Sequence, residues 1–466
     1  MSKVLISKKC FTLLDQKDFS DFSGDINPIH LSKEYSRKTP PGEPIVHGIN
    51  AFLWALESCV ASGESIYQIA NVKFLQPIYL EEEVCCFFYP QERKLEVASN
   101  DIIYINIFFE EKLLNTKKKS YEKKPKKLEI NELDIQEIVT MKNSNEFIDF
   151  PYSANSKLVK KLYPNLHKSV GSALVCEIAC LSSIVGMQLP GLHSIFVSFK
   201  INLDHAVNNQ HDFIRIIKAD ERFNIVDLEV ISENISSIIR AILRPKPIKN
   251  LSIQALKVLL KDEKKINKRI LVIGGTRGIG NIVVKILSLL GCNLTFTYAS
   301  GFEEALKLKE DMSKFGNDID FVKFDINCKS SSLLFNCNPE YIFYFPTPKI
   351  FVKRTKEFET ELYKKFHFFY VESFKNIFDM SKENNVKGIF YPSSIALEEN
   401  ARDMIEYIKA KKDGEIMCKE LNRKSALKIL VKRLPRILTD QTATNLNIKS
   451  EGPFDIMMPI IREFLK

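Results

Sequence analysis

Long apolar runs are missing from this chain. No stretch of about 18 or more uninterrupted apolar residues occurs in its 466 residues, which argues against membrane insertion by a spanning helix. The opening residues Met1-Ser2-Lys3-Val4 lead to Lys8-Lys9-Cys10 without the apolar core and small-residue cleavage site of a secretory leader, so a cytoplasmic location is expected. Spaced cysteine pairs are missing too. The ten cysteines are scattered, Cys85 and Cys86 are adjacent, and Cys176 and Cys180 lie in an apolar segment with no histidine at ligand spacing. That pattern fits reduced core thiols, and neither a metal nor a disulfide set is expected. Disorder is excluded by composition, with hydrophobic residues at 45% and charged residues at 27%. The length exceeds one ordinary domain.

The formal charge of +9 comes from 67 Lys+Arg against 58 Asp+Glu. Lys112 to Lys127 holds eight lysines and Glu122, a net +7, which leaves +2 for the rest of the chain. The protein is therefore near-neutral with one basic segment. Lys112 to Tyr121 reads as an edge strand, since lysines blunt exposed edges, and Glu122 to Lys127 as a solvated linker. The run has no interleaved aromatic beyond Tyr121 and matches no recognition module, so no nucleic-acid partner is expected.

A second boundary lies at Arg244-Pro245-Lys246-Pro247, followed by a charged connecting helix expected over 252–267. These breaks divide the chain into 1–122, 135–246 and 268–466. The first two pieces repeat one pattern. Val46-His47-Gly48 opens an apolar, small-residue helix followed by the extended run Ile66 to Phe74. Val170-Gly171-Ser172 opens another, followed by Ser194 to Ile201. A helix apolar on most sides asks to be wrapped by a sheet, and two such units placed sheet to sheet would make one compact body. The third piece alternates short apolar strands with helical stretches. Its strands fall at Arg269 to Ile273, Asn293 to Tyr298, one ending at Phe324-Asp325, Tyr341 to Phe345, Gly388 to Tyr391 and Lys428 to Arg433, which predicts a doubly wound parallel sheet.

Phe22-Ser23-Gly24-Asp25-Ile26-Asn27-Pro28-Ile29-His30 is the most informative segment. Asp25 and His30 converge on one water if the chain turns into a helix at Pro28, and a carboxylate with an imidazole can orient that water and move its protons. Alone, the segment also fits an Asn-Pro turn with a surface histidine. With Ile45-Val46-His47-Gly48 and Val72-Lys73-Phe74-Leu75-Gln76-Pro77-Ile78-Tyr79 following in order, it resembles the MaoC-like, R-specific enoyl-CoA hydratases. The resemblance implies an α+β hotdog fold. Asp25 and His30 would be the water-activating pair, Asn27 would hold the loop, and the Gly48 backbone amide would face the thioester oxygen. The second piece resembles the same fold at Gly186-Met187-Gln188-Leu189-Pro190-Gly191 but lacks the Asp/His motif, making a double hotdog with a silent half. Eukaryotic double-hotdog members usually carry the motif in the second repeat, whereas here it stands in the first.

After Ile273 comes Gly274-Gly275-Thr276-Arg277-Gly278-Ile279-Gly280. Glycines let a backbone approach a pyrophosphate, and the helix that follows attracts its charge. The loop resembles that of short-chain dehydrogenases/reductases, where Gly274, Gly278 and Gly280 match the fixed glycines and Ile273 replaces the usual threonine. The resemblance implies a Rossmann-type domain in which Gly274, Thr276, Arg277, Gly278, Ile279 and Gly280 hold a dinucleotide, and Asp325 contacts the adenine. Thr297-Tyr298-Ala299-Ser300 offers no carboxylate for a ribose 2′-hydroxyl, while Arg277 offers a cation for a 2′-phosphate. NADP(H) is thus favoured over NAD(H).

Tyr407 and Lys411 are four apart on one helix face. Such a pair is common in lysine-rich helices, but the spacing of thirteen from Ser394 to Tyr407 matches the family. A Ser394, Tyr407 and Lys411 set is implied, with Ser393 as a substitute for Ser394 and the Lys411 ammonium favouring the Tyr407 phenolate. Phe345-Pro346-Thr347 replaces the family's Asn-Ala-Gly, and His367 stands near its helix asparagine.

Together these features suggest a bifunctional enzyme of acyl-CoA or acyl carrier protein thioesters, both a hydratase and a reductase, with homo-oligomerisation left open. The alternative is a hydratase with a degenerate, nucleotide-binding regulatory or scaffold domain.

Overall fold

The computed structural model describes residues 3–100, 102–114, 123–203, 212–248, 250–327, 332–350, 358–399, 404–440, 442 and 450–466. Contacts divide the chain into two compact units, with the division between Lys246 and Pro247. Among the described residues no helix is long and apolar enough to cross a membrane.

The first unit is built on one ten-stranded antiparallel sheet. Its strands are β1 (Val4–Cys10), β2 (Tyr67–Phe74), β3 (Glu83–Tyr89), β4 (Lys94–Ser99), β5 (Ile102–Leu113), β6 (Phe147–Asp149), β7 (Ser194–Asn202), β8 (Phe213–Asp220), β9 (Ile225–Ile231) and β10 (Ser236–Leu243). The order across the sheet is β1-β3-β4-β5-β2-β7-β10-β9-β8-β6. The five strands of each half follow the same relative order. The halves join edge to edge, with Ile69 to Lys73 of β2 paired against Asn202 to Ser198 of β7. This differs from the expected sheet-to-sheet stacking, because two free edge strands can satisfy each other's backbone groups directly.

Alternation sets the inner face: in β3, Val84, Cys86 and Phe88 are buried while their neighbours are not. That face covers two helices, Gly48–Ala61 and Ser172–Ser183, which touch each other. The first buries Ile49, Phe52, Leu53, Ala55 and Leu56, and the second buries every residue from Ala173 to Ser183. Neither has a side-chain cap at its N-terminus. Burial of each large side chain, at roughly 1.5–3 kcal/mol, holds these helices in place.

β5 lies between β4 and β2, but its register with β4 runs only to Phe108 while that with β2 reaches Leu113, so the beginning of the basic segment is paired on the β2 side alone. Residues 115–122 of that segment lie outside the described residues. Lys123 pairs with Asp212 at 3.4 Å and Glu233 at 3.9 Å and lies 3.6 Å over the Tyr152 ring. The Lys126 amide donates to the Tyr152 carbonyl. Exposed as it is, this stretch is tethered to the second half of the sheet instead of hanging free.

The second unit begins with a helix limited to Ile253–Leu259, shorter than expected. Ile253 and Leu256 bury in the core, and the charged residues after Leu260 have little apolar surface to bury. Six parallel strands follow: β11 (Arg269–Ile273), β12 (Asn293–Tyr298), β13 (Asp320–Lys323), β14 (Tyr341–Tyr344), β15 (Gly388–Ser394) and β16 (Lys428–Leu434). Their order, β13-β12-β11-β14-β15-β16, reverses direction between β11 and β14. That is the doubly wound arrangement, whose switch point opens a crevice at the strands' C-terminal ends. Ile270 to Ile273 are all buried, as befits a strand covered on both faces. β15 runs three residues past its expected end, which places Ser393 and Ser394 on the strand itself.

Candidate active sites

In the first unit, the chain leaves the helix Leu13–Ser23 through Gly24 at φ +77°, where a Cβ would stand 2.8 Å from that of Ser153. Glycine alone allows this turn, and it delivers Asp25 into the interior at 1% exposure. Ser182, at the end of the second buried helix, donates to Asp25 Oδ2 at 2.7 Å, and the Asn27 amide donates to Oδ1 at 3.1 Å. Gly186 leaves room for the carboxylate, since a Cβ there would lie 2.7 Å from both oxygens. Asn27 caps the short helix Pro28–Leu31 through Oδ1, while its Nδ2 donates to the Gly186 carbonyl at 2.8 Å and the Leu192 carbonyl at 3.3 Å.

His30 follows on that helix. Its Nδ1 lies 2.8 Å from the Ile45 carbonyl. A carbonyl can only accept, so Nδ1 carries the proton and Nε2 is left as a base. His47 stacks on His30 with ring centroids 3.8 Å apart, and its own Nδ1 is tied to Gln16 Oε1 at 2.9 Å. Burial pushes Asp25 up to about 6, against the opposing Ser182 and Asn27 hydrogen bonds. Burial also pushes His30 down to about 4, with the nearby Arg244 guanidinium adding to the fall. His47 is held well below its ordinary value by burial and by His30. Ligand atoms of Asp25, His30 and His47 lie within 4.8 Å of one another, but their hydrogen bonds to backbone and to Gln16 fit a proton-handling group. Arg244, buried, donates through Nη2 to Tyr35 Oη and to the same Leu192 carbonyl that Asn27 uses, both at 2.8 Å.

These groups open on a cavity of about 190 Å³ lined by Asp25, Asn27, His30, Gly48 and Ser182 and walled by apolar side chains. Gly48 begins the first buried helix, whose opening N–H groups have no intrahelical acceptor. Asp25, Asn27, His30 and Gly48 are thus brought together. Sequence reasoning missed Ser182, Gly186, His47, Gln16 and Arg244. Gly186 opened a block read only as a sign of fold, and Arg244 was read only as a domain boundary.

In the second unit, β11 ends in a loop shaped by its glycines. Gly274 and Gly278 have φ of +81° and +55°, and a Cβ at Gly280 would collide with the Gly274 carbonyl oxygen. The Gly274 and Gly275 amides donate to Thr297 Oγ1 and Thr297 O, both at 3.0 Å, and Asn281 Nδ2 donates to Thr276 O at 3.1 Å. The exposed Arg277 precedes the helix Gly278–Leu289, which includes Ile279 in its first turn. This cradle fits a pyrophosphate held against a helix N-terminus. Asp325, beyond β13, accepts from the Asn327 amide at 2.9 Å and Nδ2 at 2.8 Å, closing its own turn.

Tyr407 lies on the helix Ile405–Lys424, buried, with Ser394 near enough to act on its hydroxyl. Ser393 instead donates to Glu415 at 2.5 Å, and Arg433 holds that carboxylate. Lys411 lies about one turn farther along the Tyr407 helix. Its Nζ donates to the Pro392 carbonyl at 2.6 Å and sits 3.8 Å over the Tyr370 ring, 5.9 Å from the Tyr407 ring centroid. Burial pushes it down to about 7 and raises Tyr407, against the Ser394 hydrogen bond. His367 pairs with Glu372 at 3.0 Å. Tyr370, 2.6 Å from Thr347 Oγ1 through its hydroxyl, is the residue beside Tyr407 and Lys411.

Residues 11–89 match the MaoC like domain family. The chain thus carries a MaoC-like domain in the half that holds Asp25 and His30. No curated protein matches the chain. Solved structures similar to it include the angucycline C-6 ketoreductase LanV with bound NADP, at 17% identity over 43% of this chain and 81% of that one, TM-score 0.35. A short chain dehydrogenase from Salmonella enterica subsp. enterica serovar Typhi is 11% identical over 43% and 90%, TM-score 0.38. FolM alternative dihydrofolate reductase 1 from Brucella suis in complex with NADP is 13% identical over 37% and 72%, TM-score 0.34.

Proposed function

We propose that the chain is a bifunctional enzyme of acyl thioesters. The first unit hydrates a 2-enoyl thioester or dehydrates the 3-hydroxy form, and the second interconverts 3-hydroxy and 3-oxo forms with NADP(H). The observation that carries hydration is the convergence of the Asp25 carboxylate, His30 Nε2 and the start of the Gly48 helix on one cavity. Asp25 holds the water and His30 Nε2 takes its proton as the water oxygen bonds to C3. Charge then gathers on the thioester oxygen, which the Gly48 amide receives. The proton is returned to C2, leaving Asp25 and His30 as they began. The matching strand order of the two halves supports a double hotdog. Its second repeat lacks the Asp/His pair yet lends Ser182 and Gly186 to the first.

For the second unit, Gly274 to Gly280 would hold the pyrophosphate, Arg277 a 2′-phosphate and Asp325 the adenine. NADP(H), when bound, supplies or accepts a hydride at the carbon bearing the oxygen. Tyr407, with Ser394 beside it, exchanges the hydroxyl proton. Arg277 and the absence of an acidic residue in Thr297 to Ser300 favour NADP(H) over NAD(H). The Lys411 geometry favours a second reading, in which this unit binds nucleotide without turnover, because its ammonium is engaged by Pro392 and Tyr370.

In the full chain, Asp25→Asn and His30→Ala should each lower kcat/KM for crotonyl-CoA hydration by a factor on the order of 10²–10⁴. Full activity in both variants would reduce the motif to a structural turn. Arg277→Ala should weaken NADPH binding more than NADH binding in a titration, and an equal loss would refute the phosphate assignment.

A further inference from the structure

The cavity beside Asp25 and His30 is small for an acyl site. An apolar cavity of about 150 Å³ admits a benzene ring. By that measure the 190 Å³ here holds roughly eight non-hydrogen atoms, of which the thioester sulfur, carbon and oxygen take three. Phe74 and Phe196 are among the apolar side chains that line the cavity. Phe74 and Phe196 meet edge to face, with centroids 5.4 Å apart. Phe74 also lies against the catalytic end, since a Cβ on Gly48 would stand 3.0 Å from its Cε1 and Cζ.

Both rings are half-buried and pack on a buried neighbour. Both abut Phe199, at 6.0 and 5.4 Å, and Phe199 packs on Phe52 at 5.1 Å. Phe199 and Phe52 are 3% and 0% exposed. Phe74 and Phe196 come just past the end of the β2–β7 pairing, whose last pair is Lys73 opposite Ser198.

We infer that the hydratase site is built for short 2-enoyl thioesters, of about four to six carbons, and that Phe74 and Phe196 end its acyl pocket. This inference rests on the hydratase reading. It makes the second half of the sheet a determinant of chain length as well as a support for Asp25.

The test is a chain-length series on the full protein, using the CoA thioesters of trans-2-butenoic, hexenoic, octenoic and decenoic acids. The expected result is that kcat/KM falls beyond hexenoyl, by a factor on the order of 10 to 200 for each methylene that does not fit. Phe196→Ala should raise the decenoyl-to-crotonyl ratio of kcat/KM at least about tenfold, with Phe196→Leu as a milder change should the alanine variant misfold. Equal or better turnover of decenoyl-CoA by the unmodified chain would overturn the inference and leave the hydratase reading standing. A ratio unmoved in a folded Phe196 variant would overturn the assignment of the wall. Hydration of none of the four thioesters would remove the hydratase reading, and the inference with it.

Discussion

Asp25 is a carboxylate almost wholly removed from bulk water, and its location costs stability. An unfolded aspartate titrates near about 3.9, whereas burial raises Asp25 to about 6. The raised value means that the folded state favours the protonated form. Its benefit is complete below the unfolded value and is lost as pH rises through the folded one. At pH 8 the charged group therefore carries a penalty, bounded by this shift at about 3 kcal/mol. Asp25→Asn removes the charge while keeping shape and one acceptor for Ser182. In thermal melts it should be more stable than the unmodified chain at pH 8, by about 1–3 kcal/mol, with the gap closing toward pH 4. A gap that is absent at pH 8, or that widens on acidification, would contradict the buried-charge description. Asp25 and His30 were legible as a pair because five positions of chain and a Pro28 turn are enough to bring them together. Ser182 was not, because 157 residues separate it from Asp25 and only the packed core makes them neighbours.

Single elements show the same dependence on distant partners. The π-turn Ile184–Gln188 after the second buried helix presents Gly186, whose missing side chain makes room for Asp25 and whose carbonyl anchors Asn27. Gly186→Ala should therefore displace the carboxylate. Loss of at least tenfold in hydration kcat/KM is expected, with circular dichroism still reporting a folded chain; full activity would show that Asp25 is not seated there. Such an element is legible as a helix end but not as half of a site, since no local pattern announces what the opposite half will place against it. In the second unit the glycine loop was readable because its geometry is local: the same few residues make the turn and the cradle. Helical spacing placed Lys411 on the Tyr407 face, where its Nζ lies 5.9 Å from that ring's centroid, but the Pro392 carbonyl and the Tyr370 ring that hold it come from other elements and leave no local sign. In the basic segment, lysine content suggests an edge or a linker; its start pairs on the β2 side alone, and the partners of Lys123 (Asp212, Glu233 and Tyr152) come from distant positions that no local pattern announces.

On the proposed function the molecule as a whole would join two chemistries that share an intermediate: the 3-hydroxyacyl thioester made by hydration is what the second unit would oxidise. Fusion raises the local concentration of that intermediate near its second site. The alternation of periods along the chain made the two architectures readable, antiparallel with buried helices before Lys246 and parallel after Pro247. Left unread was that the two halves of the first unit share a single sheet, because strand pairing over such separations leaves no local trace. Full-length protein mixed with crotonyl-CoA and NADP⁺ tests the central claim most directly, with NADPH followed by absorbance. Water addition and then oxidation should produce NADPH in the unmodified chain. Asp25→Asn should abolish that signal yet restore it when 3-hydroxybutyryl-CoA is supplied, while Tyr407→Phe should abolish it with either substrate. NADPH formed from crotonyl-CoA by Asp25→Asn, or none formed by the unmodified chain from either substrate despite measurable NADP⁺ binding, would contradict a bifunctional enzyme.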